Sequence, residues 1–61
     1  MNGFSYDPDQ KKITITDNNS IVIWHDVKQD VADKAGKMWH NGEVIDNYLI
    51  QNGCKRYWGN G

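Results

Sequence analysis

The chain has 61 residues, a quarter of them charged, with a formal net charge of −1 and a single cysteine. That length is one domain, 1–61. The near-neutral balance argues against a general nucleic-acid binder, which depends on a basic surface, and against a DNA mimic, which is strongly acidic. One cysteine excludes a disulfide within the chain.

A domain this short buries only roughly 60% of the surface of its unfolded form, so it needs a well-made core, a staple or a partner subunit. Zinc as the staple wants four ligands. His25, His40 and Cys54 offer three, with no CxxC or HxxxH spacing, so neither a metal nor a cofactor is expected. No apolar run approaches the ~18 residues that span a membrane. The opening MNGFSYDPDQKK has no basic region followed by an apolar block, unlike a signal peptide. A soluble, cytoplasmic protein is expected.

Residues 1–10 read as a lead-in, with a short edge strand possible at Gly3–Tyr6 and turn chemistry at Asp7-Pro8-Asp9. "KKITIT" and "IVIWH" around "DNNS" predict a β-hairpin. A two-residue Asn18-Asn19 turn pairs Ile15 with Val22 and Ile13 with Trp24. A three-residue loop, Asp17 to Asn19, pairs Ile15 with Ile21 and Ile13 with Ile23, which gives one uniform isoleucine face. The three-residue loop is preferred on that pattern, with Asn19 left-handed.

"HDVKQDVADKAG" predicts a helix over about 26–35. Asp26 is the expected N-cap, with Gln29 completing a capping box. Val27, Val31 and Ala35 form the apolar stripe, and Gly36 is the expected C′ residue. Beyond it, Asn41-Gly42 and Asn52-Gly53 are strong hairpin signals. Reading both as turns gives strands near Lys37–His40, Glu43–Gln51 and Cys54–Trp58, and sets Tyr48 opposite Tyr57. The alternative is helical: Val44, Ile45, Tyr48 and Leu49 fit a 3.6 period, and the two glycines become helix caps. Val, Ile and Tyr prefer strands, while Asp46 and Asn47 weaken a helix interior, so strands are preferred. The expected fold class is α+β: an N-terminal β-hairpin, one short helix, then a short-strand meander, with a ββαα chain as the alternative.

Side chains alternate along a strand, so Arg56 and Trp58 share one face and Tyr57 takes the other. One of the two rings therefore looks outward. Trp, Tyr and Arg are enriched at binding hot spots. The expected contact set is Trp24, Tyr48, Arg56, Tyr57 and Trp58, presented to a protein partner. The expected function is a non-catalytic binding module of the phage or mobile-element inhibitor type, acting as inhibitor or adaptor by occupying a macromolecule. A homo-oligomer is a further possibility, since an edge strand can pair with itself. The alternative is a binder of single-stranded nucleic acid or a signalling nucleotide. In it an aromatic face stacks a base, and Lys11, Lys12, Lys55 and Arg56 meet phosphate, provided the first and last strands lie close. A helix-turn-helix reading suffers from Glu43 and Asp46 on its second helix, which repel phosphate. Catalysis is not expected. Cys54, Ser5 and Ser20 are the nucleophile candidates and His25 and His40 the bases, with no motif joining them, although Lys55 and Arg56 beside Cys54 would lower its thiol pKa.

Overall fold

The structure, a computed structural model, describes residues 3–58. The chain runs β1 (Gly3–Asp7), β2 (Lys12–Asp17), β3 (Ser20–His25), α1 (Gln29–His40), α2 (Asp46–Gln51) and β4 (Lys55–Trp58). The strands form one antiparallel sheet in the order β1-β2-β3-β4. The fold is thus α+β, with the hairpin at its N-terminal side as expected. The short-strand meander that was to follow the helix is corrected to a second helix and one strand.

The β2–β3 hairpin takes the two-residue turn, not the three-residue loop: Ile13 pairs with Trp24, Ile15 with Val22 and Asp17 with Ser20. Asn18, rather than Asn19, adopts positive φ, at 51°. Such φ values suit the tight turns whose twist matches that of the strands. The uniform isoleucine face lost because this register puts Trp24, the largest side chain of the hairpin, inward against Ile13. Both are buried, Trp24 at 1% exposure. Burying the indole removes on the order of 150–250 Å² from water, and the same register leaves Ile21 and Ile23 on the other face.

The helix starts later and runs further than the expected 26–35. Asp26 is no N-cap: it sits at φ 61°, and Lys28 precedes the first helical residue without a side-chain cap bond. The left-handed turn at Asp26 drives Val27 into the core, where its N–H donates to the Lys11 carbonyl (3.0 Å) and its own carbonyl accepts from the Tyr6 hydroxyl (2.5 Å). Gly36 does not end the helix. It lies inside α1, and a Cβ added there would come within 3.2 Å of the Phe4 ring. The glycine lets β1 approach α1.

Both Asn-Gly pairs end helices. After α1, the Glu43 N–H donates to the Met38 carbonyl and the Gly42 N–H to that of Trp39; after α2, the Cys54 N–H donates to Leu49 and the Gly53 N–H to Ile50. These are two Schellman motifs, with Gly42 and Gly53 at φ 77° and 80°. The strand readings of 37–40 and 43–51 are corrected accordingly, and the helical alternative holds for 46–51. Cys54–Trp58 does end in a strand, but β4 pairs with β3 (Trp24 with Arg56, Ile23 with Tyr57) and leaves Tyr48 on a helix.

The helices cover one face of the sheet. Ile13 and Trp24 meet Val27, Val31, Ala32 and Ala35 of the α1 region and Ile45, Leu49 and Cys54 of the α2 region. Phe4, Tyr6, Ile15, Val22 and Trp39 pack around this centre. Among the described residues no helix lies over the opposite face, which carries Thr14, Ile23, His25 and Tyr57.

Candidate functional site

The path of the chain decides where chemistry gathers. Helix α1 leaves the His25 end of the sheet, and α2 returns to start β4 beside His25, since Lys55 pairs with it. The connection between the helices therefore lies toward the other end, near the Asn18-Asn19 turn. There the helical layer does not close over the sheet, and a cleft of about 370 Å³ remains. Ile15, Val22 and Trp24 form its floor, Trp39 lines it from α1, and residues 43–46 line it from the connection. Asp17 and Ser20 line it from the turn end of the hairpin, and Arg56 from β4.

Arg56 is held on two sides. Its Nη1 donates to the Asp46 Oδ2 at 2.7 Å, and its guanidinium carbon stands 5.7 Å from the centre of the Trp24 ring. Both partners of the ion pair are about two-fifths exposed, so solvent screens it, and pairs of this kind contribute about 0.2–1 kcal/mol. Its consequence is positional: the pair ties β4 to the first turn of α2. Val44 stands at the lip, 77% exposed. The carboxylates of Asp17 and Glu43 have no hydrogen-bond or ion-pair partner among the described residues.

The open sheet face carries a second grouping. Tyr57 is 53% exposed, and its ring meets that of His25 edge-on at 4.5 Å between centroids. Lys12 and Lys55 lie at the same end of this face.

The residues expected to act together are thereby separated. Trp24 is a core residue, so it supports the cleft from beneath instead of presenting a contact surface. Tyr48 is half-buried on α2, with the Lys34 ammonium 5.4 Å from its ring centre. Arg56 reaches the cleft and Tyr57 the opposite face; the side chain of Trp58 lies outside the described residues. Tyr57 is thus an outward ring. The proposed basic edge of Lys11, Lys12, Lys55 and Arg56 is also divided. β1 and β4 are opposite edges of the sheet, Arg56 points to the helical side, and Lys11 belongs to the β1–β2 turn with its carbonyl engaged by Val27.

Trp39, Glu43, Val44 and Asp17 were not among the expected contact residues. The preferred strand through 43–51 would hold Glu43 and Val44 in a sheet; only the helical alternative, with Gly42 as a cap, frees them to line the cleft.

The nucleophile candidates are likewise dispersed. Cys54 is 7% exposed, and its thiol is pushed above its ordinary range by burial first and by the Asp26 carboxylate second. The expectation that Lys55 and Arg56 would lower it is corrected: Arg56 turns to Asp46, and desolvation disfavours the thiolate. The Ser20 hydroxyl donates to the Asp17 carbonyl. Among the described residues no group of three or more His, Cys, Asp or Glu could hold a metal ion, and no helix is long and apolar enough to cross a membrane.

Compared with known proteins, the chain matches no protein-family model, no curated protein and no solved structure.

Proposed function

We propose that this protein is a small non-catalytic binding module of the cytoplasm that occupies a protein partner and thereby inhibits or adapts it, in the manner of the inhibitors that phages and mobile elements direct at host factors. One observation carries this reading: the cleft beside the β2–β3 turn combines the half-buried Trp39 ring, an arginine positioned over the buried Trp24, and an exposed apolar lip at Val44. Fully desolvated aromatic and arginine side chains dominate binding energies at protein interfaces, while the surrounding contacts mainly exclude water. A module of this kind needs no reactive group. Its buried, proton-holding thiol supports the non-catalytic reading.

A second reading rests on the other face. Tyr57, braced by His25, with Lys55 on the same strand and Lys12 two strands away on the same face, offers a ring for a base and two ammonium groups for phosphate. Stacking of this kind contributes about 1–3 kcal/mol per base.

Capture of the tagged chain's partner, with and without nuclease, separates the two when Val44→Asp and Tyr57→Ala accompany the parent. The expected result is one protein retained through nuclease treatment, lost from Val44→Asp and kept by Tyr57→Ala. An eluate emptied by nuclease or high salt, and lost in Tyr57→Ala, transfers the function to the open face.

A further inference from the structure

We propose that the cleft beside the β2–β3 turn receives a cationic side chain, arginine or lysine, presented by a basic segment of the partner. This rests on the reading of the cleft as a protein-binding site and adds the chemistry of its occupant.

The argument begins with the guanidinium already there. Arg56 lies between the Trp24 ring and the Asp46 carboxylate, at 5.7 Å to the ring centre and 2.7 Å to the oxygen. A cation near an aromatic face is attracted by the ring quadrupole, and a carboxylate supplies the matching charge. The same elements recur on the rest of the wall. Trp39 provides a second indole, and Asp17 and Glu43 two further carboxylates, one from the hairpin and one from the inter-helix connection. Since these two acids have no partner among the described residues, and Asp46 already neutralises Arg56, the cleft holds an excess of two negative charges.

Shape and polarity agree with that choice. The volume of about 370 Å³ is at the lower end for ligand pockets, and suits one or two side chains. Ile15, Val22 and Val44 give apolar surface to the methylene stem of a lysine or arginine, whose charged head then reaches the rim. A carboxylate or phosphate entering here would meet Asp17 and Glu43 and be repelled. Complementary charge also steers approach and rejects wrong partners.

The test uses the full chain and three capped peptides, followed by the indole N–H signals of Trp24 and Trp39 in heteronuclear NMR. Tetra-arginine is expected to move both signals saturably. Tetra-glutamate is expected to leave them in place. In the Asp17→Asn/Glu43→Gln double variant, both changes being at exposed positions, arginine-peptide affinity should fall by about threefold to tenfold, the sum of two exposed charge contacts. An unchanged dispersion of amide signals will show that the variant is folded. Equal affinity in parent and variant, or no response to tetra-arginine, overturns the proposal.

A neutral Ala-Leu-Ala-Leu peptide distinguishes the two levels of the reading. If it moves the indoles where tetra-arginine does not, the cleft remains a protein contact and only its cationic occupant is wrong. If neither peptide moves them, the cleft itself is lost as a recognition site. Indole shifts that grow with protein concentration in the absence of peptide would put a second copy there, which also overturns the proposal.

Discussion

The two faces of this sheet are made from alternate residues of the same strands, yet they differ in what they ask of each side chain. On the covered face, Ile13 and Trp24 are cross-strand partners and both are sealed beneath the helices. On the open face, the next pair along, Thr14 and Ile23, is half-buried, and Tyr57 beside Ile23 is exposed. A single-residue shift of register would exchange the two sets, so the location of one tryptophan decides which face is core. Residue type alone does not separate buried from exposed: Trp24 and Tyr57 are both aromatic and both on strands, and one is 1% and the other 53% exposed.

The largest effect should come from cutting the covered face. Trp24→Ala should cost about 3–5 kcal/mol, as deletions of buried aromatic side chains do, against a total of about 3–9 kcal/mol for a domain of this size. Thermal or urea unfolding followed by circular dichroism will show a variant that is largely unfolded at 37 °C. Tyr57→Ala on the open face should shift stability by less than about 1 kcal/mol. Equal losses from the two substitutions would mean that both faces are covered, and the contrast drawn here would collapse.

An intermediate effect should come from the helix end that delivers β4 to the sheet. Gly53 has open space around it but φ near 80°, a conformation that costs a residue with a Cβ about 1–2 kcal/mol. Gly53→Ala should therefore lower the urea midpoint without changing its slope. No loss would show that the Schellman motif does not constrain the chain there.

The smallest effect is a dependence on alkaline pH. Tyr6 lies at the edge of the covered face, and its phenol holds its proton above the ordinary value of 10.0, through burial first and then through the carboxylates of Asp33, Asp7 and Asp30. The unfolded chain releases that proton more easily. Stability from this source is complete below pH about 10 and is lost as pH rises through the folded-state value. The thiol of Cys54, raised from 9.0, acts in the same direction. Urea midpoints measured between pH 8 and 11 should fall with pH, and Tyr6→Phe should flatten the fall. An equally steep fall in Tyr6→Phe would assign the dependence elsewhere.

Much of the local structure was legible in the residues. The β-branched runs around Asp17 to Ser20 do form a hairpin. Val27, Val31 and Ala35 do enter the core as one stripe, and Cys54–Trp58 does end in a strand. The ends of the helix were harder, because Asp26 satisfies the pattern of a cap while serving as a left-handed corner that inserts Val27. The lining of the cleft was legible only in part. Arg56 is at the cleft, but its neighbours Trp39, Glu43 and Val44 come from segments whose secondary structure was itself undecided.

Asn41-Gly42 and Asn52-Gly53 show where the boundary lies. Their sequence alone determines that the chain takes positive φ at Gly42 and Gly53, because asparagine-glycine favours such turns and glycine has no Cβ to forbid them. It equally determines that these residues, with one cysteine, form no disulfide among themselves. Whether those turns close hairpins or end helices was decided by tertiary structure. The sheet needed a layer to cover Ile13 and Trp24, and six residues of α2, too short to persist alone, are held by burying Leu49 against them. The same packing stops short of the β2–β3 turn, which is why the cleft exists and why no local pattern announced it.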